Sequence, residues 1–293
     1  MRQTLQKLIF VVMFSVLPVT TWGSPVTNQD DAVPEAWFQA DFLLLGEVHD
    51  NVAGHALRLH WLEQLVQQRR VALAFEQFDL ESQTLLDEAI QRWKSSHAPA
   101  DAESSKTVAE AAGFNFKGWK WPLYEPVLKL ALQSDLPVVA ANLSRAQLGA
   151  VMRGSRPAPP EPIRWSTVQR ESLLQEVREG HCNLMPEDQL PAMVMAQRAR
   201  DFEMAQTMVA THQRSGLPVV LLAGNGHLRN DLAVPVWLQQ LVPQARVISV
   251  AVLEQGEPQS FDPKSVYNSV YWVQPESRPD PCEALRQRLE KKN

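Results

Sequence analysis

The stretch LLLGEVHDN, residues 43–51, runs from three leucines into Gly46 and then places Glu47, His49 and Asp50 within four residues, just ahead of a helical pattern. Two carboxylates and an imidazole are costly to bury unless they are paired or put to use. The apolar run from Phe42 to Leu45 therefore reads as a strand buried on both faces, whose end opens onto a cleft.

Four more runs repeat the pattern: Val71 to Phe75, Pro137 to Ala141, Pro218 to Ala223 and Val247 to Leu253. Each is apolar without alternation, as expected of strands covered on both sides. Between the first two, residues 53–68 carry Ala56, Leu59, Leu62, Leu65 and Val66 at helix spacing, with Asp50 or Asn51 as N-cap. Strand and helix in alternation predict an α/β fold, with a mainly parallel sheet flanked by helices. The gaps after Phe75 and Leu143 are too long for single crossovers. They predict a smaller all-helical subdomain inserted at about 80–136 and 144–214, including a long helix over about 186–213.

Arg2 and Lys7 precede an apolar stretch from Leu8 to Val19, and Thr21 and Gly23 suit a cleavage after Gly23. Residues 1–23 are thus expected to be a secretory signal, since about 12 apolar residues fall short of the roughly 20 that span a membrane. No lipobox cysteine follows, so the expected product is periplasmic or secreted and soluble. Without the signal, 26 Lys and Arg face 33 Asp and Glu. That balance argues against nucleic acid as a partner. Of the two cysteines, Cys182 and Cys282, the sequence leaves open whether they pair or remain separate thiols.

Polar residues follow four of the strands: Glu47 and His49, then Glu76, then Asn142, then Asn225 and His227 in AGNGH. The carboxyl edge of a parallel sheet is where ligands collect. If the strands are neighbours, Glu47, His49, Glu76 and His227 suit a divalent metal or general acid-base work. The alternative is that they pair with backbone groups or arginines and hold loops. Gly224 and Gly226 are a poor dinucleotide fingerprint, because Arg229 stands where the third glycine belongs.

In FKGWKWPLYEPVLKLAL, residues 116–132, Pro122 and Pro126 restrict where a helix begins and predict Tyr124 near its first position. There the helix dipole favours a phenolate. Trp119 and Trp121 with Lys117 and Lys120 add aromatic faces and cations, which suit a flat, carboxylate-bearing ligand with a ferric centre, namely haem. A packed helix start is the alternative. Further on, His181 precedes the long helix, and Met185, Met193, Met195, Met204 and Met208 give that region five of the eight methionines. Methionine suits irregular apolar surfaces.

LLLGEVHDN, AFEQFD, WPLYEPVLKLA, PVVAANLSR, GHCNLMP, AQRARDFEMA and VVLLAGNGHLRND, in this order, resemble the ChaN-like family of haem-binding uptake proteins, within the broader erythromycin esterase and Tiki superfamily. The resemblance runs from about residue 35 to 275. It implies a homodimer with two stacked haems in its interface, each iron bound by a tyrosine and the propionates held by a histidine and a lysine. Matched residue by residue, Tyr124 is the implied axial ligand and His181 the propionate histidine, while the lysine is left open among Lys117, Lys120 and Lys129, with Lys117 ranked first. Trp121 is read as part of the same cofactor surface. An outer-membrane haem receptor or transport system would be the partner. In the wider superfamily Glu47, His49, Glu76 and His227 match, in type, a metal-dependent hydrolytic site, so the resemblance leaves open whether the protein is an enzyme.

Overall fold

The five apolar runs become strands: β1 (Phe42–Glu47), β2 (Ala72–Asp79), β3 (Val138–Asn142), β4 (Val219–Gly224) and β5 (Val247–Glu254). A sixth, β6 (Ser269–Val273), follows them. In the computed structural model, which describes residues 32–290, the strands pair in parallel in the order β3-β2-β4-β1-β5-β6. The signal expected at residues 1–23 lies outside the described residues. β6 escaped the sequence reading because it is an edge strand whose residues are only partly covered, with Trp272 43% exposed.

Successive side chains on a strand point to opposite faces, and the core divides accordingly. Leu43, Leu45, Leu73, Phe75, Val220 and Leu222 turn toward one face. Phe42, Leu44, Ala72, Ala74, Val219 and Leu221 turn toward the other. The first face is covered by α1 (Glu35–Phe38), α2 (Val52–Gln68), α3 (Gln83–Ser96), α4 (Ala102–Ala111) and α5 (Trp121–Gln133). The second is covered by the C-terminal half of α8 (Leu190–Ser215), through Met204, Ala205 and Met208, and by α9 (Val234–Leu241), through Val234, Trp237 and Leu238.

Two satellite clusters lie off the sheet. α6 (Arg145–Met152) packs Leu148 and Val151 against Ala196 and Ala199 of α8. α7 (Thr167–Gly180) packs Leu173 and Val177 with Leu190 of α8 and Leu232. Ser144 with Gln147, and Ser166 with Gln169, form capping boxes that start α6 and α7. The remaining helices are α10 (Pro263–Val266) and α11 (Pro281–Glu290).

α2 begins where the opening stretch ends. Asn51 is its N-cap, accepting from the Gly54 N–H at 2.7 Å, and its amide donates to Glu254 Oε1 and the Gln274 carbonyl at 2.6 and 2.8 Å. The cap therefore ties β1, β5 and the segment after β6 together. Cys182 and Cys282 are bonded, joining the turn after α7 to α11 across 100 residues. In the loop-entropy picture such a closure constrains the unfolded chain by roughly 4–5 kcal/mol.

Candidate functional site

β4 lies between β1 and β2, so three strand ends that are distant in sequence become neighbours. Register places Gly224 opposite Glu47 and Leu222 opposite Phe75, which brings Glu76 to the other side of β4. The wedge after β4 is held by Asn225. Its amide donates to the carbonyls of Glu47 and Val252 at 3.0 and 2.7 Å and its oxygen accepts from the Val252 N–H at 3.0 Å. A Cβ on Gly46 would lie 2.1 Å from that oxygen and 2.9 Å from the Val250 carbonyl. Only glycine leaves room there.

Glu47 is buried and its carboxylate accepts from four donors. Arg58, itself buried on α2, binds Oε2. Oε1 receives His49 Nδ1 at 2.7 Å, the Tyr124 hydroxyl at 2.6 Å and Gln77 Nε2 at 3.2 Å. Burial works to raise the Glu47 pKa, but the Arg58 guanidinium and the His49 hydrogen bond outweigh it and hold the carboxyl far below its usual range. His55 completes this inner layer as a neutral ring. It donates from Nε2 to the His49 carbonyl at 3.2 Å and accepts from Arg58 at 3.0 Å. Burial and the adjacent Arg58 push its pKa down to about 4.

The second half of the network centres on His227. Its Nδ1 meets Asp201 at 2.5 Å and its Nε2 meets Glu76 at 3.4 Å. Glu76 Oε2 also accepts from the Gly224 N–H at 2.8 Å. Burial opposes a charge on this imidazole, but Glu76 and Asp201 outweigh it and raise its pKa to about 10. Glu76 in turn falls to about 2, where burial is overcome by the charge on His227. Asn142 and Arg200 extend the chain: Asn142 donates to the Glu76 carbonyl at 3.0 Å and accepts from Arg200 at 2.9 Å.

His49 alone among Glu47, His49, Glu76 and His227 reaches solvent, with its side chain about half exposed. Its ring stands edge-on to Trp119, with centroids 4.8 Å apart. Thus the four residues do converge. They are satisfied mainly by one another and by Arg58, Asp201 and backbone, and among the described residues no three His, Cys, Asp or Glu side chains form a set open to a metal ion. A divalent centre at this rim finds no support.

The reading of Tyr124 needs correction. α5 begins at Trp121 with Pro122 in its first turn, Pro126 lies inside the helix, and Tyr124 is the fourth helical residue. Its side chain is buried, packed edge-on against His55 and near Phe114 and Trp119. Its hydroxyl donates to Glu47. Burial, then the charge of Glu47, raise its pKa above the ordinary tyrosine value, so a phenolate is disfavoured here. This arrangement does not fit an axial iron ligand. Of the other tyrosines, the Tyr267 hydroxyl donates to the Asn225 carbonyl at 3.1 Å and the Tyr271 ring packs on Trp37 and Trp61.

Trp121 packs on Phe114 and Phe116, so it is Trp119 that borders the rim. Lys117 is exposed, its N–H turned to Asn115 at 3.2 Å. Lys120 and Lys129 face Asp50 and Glu125 at 3.6 and 3.5 Å. Arg58, Gln77 and Gln197 were not foreseen. Arg58 had a signal, a cation on the apolar stripe of an amphipathic helix, which must be paired if buried.

Two cavities open beside the network and share Arg145 and Arg200. One, of about 380 Å³, runs from Trp119 and Asn115 to Asn142. The other, of about 470 Å³, is a groove between α6, α7 and α8 walled by Leu148, Met152, Val177, Met193 and Ala196, with His181 and Arg153 at its edge. Gln197 connects groove and network, approaching His227 Nδ1 at 3.2 Å. Arg145 and Arg153 have no carboxylate partner among the described residues. Volumes of roughly 300–1,000 Å³ with apolar walls and a few polar groups are typical of cofactor sites.

The family model for haem-binding uptake proteins, Tiki superfamily, ChaN, matches residues 33–238. A search of curated proteins gives no match. Among solved structures, ChaN of Campylobacter jejuni, described with cofacial haem binding, superposes with a TM-score of 0.64 at 25% identity, over 76% of this chain and 85% of that chain. Erythromycin esterase EreC in its open conformation gives a TM-score of 0.41 at 15% identity, over 78% of this chain and 74% of that one, a value too low to bear on chemistry. With the match extending from before β1 into α9, the chain belongs to the ChaN family of haem-binding uptake proteins in the Tiki superfamily.

Proposed function

We propose that this protein binds haem in the groove between α6, α7 and α8 and serves haem-iron uptake in an exported compartment, as a homodimer when loaded. The observation that carries the reading is the groove itself. Leu148, Met152, Val177 and Met193 offer an apolar, adaptable wall to a porphyrin face. Arg145, Arg153 and Arg200 at its margin offer guanidinium forks to two carboxylates. Haem has this profile, apolar in its plane and dianionic at one edge. The bound group would supply a ferric iron, and the chain would supply the apolar walls, the anion-binding rim and shielding from water.

The Cys182–Cys282 bond supports an oxidising compartment, in keeping with the signal expected at 1–23. Met152, exposed at the groove's edge, supports a second copy closing over a haem that one chain leaves partly open. Titrating the full protein with hemin while following the Soret band and the sedimentation coefficient is expected to give saturation at one haem per chain, with the mass doubling. A chain that leaves hemin absorbance unchanged at micromolar concentration would remove the reading.

One observation favours a second reading. His49 is half exposed while every group behind it is buried. Burial works against its charge, yet Glu47 and then Glu76 raise its pKa, so the protonated ring is favoured more than in a free histidine, as suits a group that donates a proton to a leaving oxygen. Glu47, saturated by four donors, is a poor base, which corrects its expected catalytic role. If this rim hydrolyses esters, His49→Ala abolishes turnover of a chromogenic ester panel while the protein remains folded. Equal turnover by the variant, or none by the wild type, eliminates the second reading.

A further inference from the structure

We infer that the cavity of about 380 Å³ beside the network is a second binding site, separate from the haem groove, and that it takes a small aminodicarboxylate such as L-glutamate. Arg145, Arg200 and Asn115 hold the carboxylates, and Gln77 and Asp79 hold the ammonium group. The cavity lies where the ends of β2 and β3 meet the loop before α5, Arg145 at the start of α6 and Arg200 of α8. Only Arg145 and Arg200 are shared with the groove; Gln77, Asp79 and Asn115 do not line it.

The acceptors come from β2. Gln77 is buried, and its Nε2 donates to Glu47 Oε1 at 3.2 Å. An ionised carboxylate can only accept, which fixes the orientation of the amide. Its other atom, Oε1, is then left buried without a donor among the described residues. A buried acceptor in that state is costly, and a ligand N–H in the cavity that Gln77 lines supplies what the fold does not. Two residues further on, Asp79 also lines the cavity. Burial, then the charge of Glu81, raise its pKa, so its carboxylate lacks a close cation. An ammonium group brings one positive charge and three N–H donors, enough for both side chains.

The donors come from the opposite chemistry. Arg145 has no carboxylate partner among the described residues. Arg200 is anchored through Nη1 to Asn142 Oδ1 at 2.9 Å, which holds the guanidinium in place and leaves further N–H groups for a ligand. Asn115 Oδ1 accepts from the backbone N–H groups of Lys117 and Gly118 at 3.2 and 3.1 Å, so its Nδ2 is the end that remains to donate. A Cβ on Gly118 would lie 2.5 Å from that Nδ2, so the bare glycine leaves room for the amide. Two guanidinium groups against one carboxylate give the lining a net positive charge. A ligand with two carboxylates and one ammonium answers it in sign, and guanidinium forks suit carboxylates in geometry. A plain dicarboxylate would leave Gln77 Oε1 and Asp79 unmet.

The test is isothermal titration calorimetry of the hemin-free full chain with L-glutamate and with glutarate, which has the same two carboxylates and no ammonium. Wild type, Asp79→Asn and Arg145→Ala are compared, both substitutions being at exposed positions, with thermal midpoints recorded to show that each is folded. Wild type is expected to bind one L-glutamate per chain. Glutarate should bind at least about 10-fold more weakly, and each variant should bind L-glutamate about 10- to 100-fold more weakly, the scale of a lost hydrogen bond to a charged group. No saturable heat from L-glutamate in the millimolar range, glutarate bound as tightly as L-glutamate, or an unchanged affinity in either variant overturns the assignment. With no hemin in the titration, the result stands or falls apart from the haem reading.

Discussion

Replacing Arg58 by methionine lowers the free energy of unfolding at pH 7 by about 3–5 kcal/mol, the range found when one partner of a buried ion pair is removed. Arg58 and Glu47 are both fully buried and bonded to each other. The remaining donors to Glu47, namely His49, Tyr124 and Gln77, carry hydrogen bonds but no permanent charge equal to a guanidinium. The effect has a definite pH dependence. With Arg58 present, the Glu47 pKa lies well below its ordinary 4.5, so its contribution is present above pH 4.5 and is lost as acid approaches the folded value. Without Arg58, burial dominates and the folded pKa rises above 4.5, so ionisation opposes folding as pH increases. The gap between wild type and variant therefore widens from pH 4.5 to 7, and Glu47→Gln added to Arg58→Met recovers part of it. Urea unfolding at the two pH values checks this. A gap under about 1 kcal/mol at pH 7, the scale of an exposed pair, or one that narrows with rising pH, would show that Glu47 is not held by Arg58.

What the amino-acid sequence discloses and what it withholds divide along physical lines. Strands β1 to β5 were legible because strands covered on both faces must be apolar throughout, and no neighbouring element is needed to see that. The α2 start at Asn51 was legible as a capping pattern. β6 was not, since an edge strand with Trp272 half in solvent lacks a continuous apolar run. The convergence of Glu47, His49, Glu76 and His227 could be suspected from their places at strand ends, but depended on β4 entering between β1 and β2, which is a matter of topology.

Tyr124 marks the limit most clearly. Two prolines suggested a helix beginning close to it, whereas α5 accommodates Pro126 in its interior and starts three residues before the tyrosine. The phenol then falls on the buried side, where Glu47 is waiting to accept its proton. Nothing local distinguishes a phenol that donates to a carboxylate from one that meets a metal, because the partner lies 77 residues away. The disulfide was open for the same reason: a separation of 100 residues says nothing about a Cα distance of 5.4 Å.

Two layers of chemistry result. The inner layer, from Arg58 through Glu47 to Tyr124 and from Asp201 through His227 to Glu76, is closed upon itself and holds the strand ends. The outer layer, where unpaired arginines meet an apolar groove, is what remains available to a ligand. Assigning haem to the outer layer separates the function from the buried carboxylates that first drew notice in LLLGEVHDN.

Met193→Glu is the most direct test of that assignment. Met193 sits on α8 in the groove wall, partly covered by Val177 and Leu190. A glutamate there removes apolar contact worth about 1.5–3 kcal/mol and sets a competing carboxylate beside Arg145 and Arg200. Since every 1.4 kcal/mol is tenfold, hemin affinity should fall by roughly 10- to 100-fold. The fold should survive, because the new side chain can reach solvent and pair with arginine. Hemin titrations of wild type and Met193→Glu, both shown to be folded, decide the matter: a loss of this size places haem in the groove, and an unchanged affinity places it elsewhere.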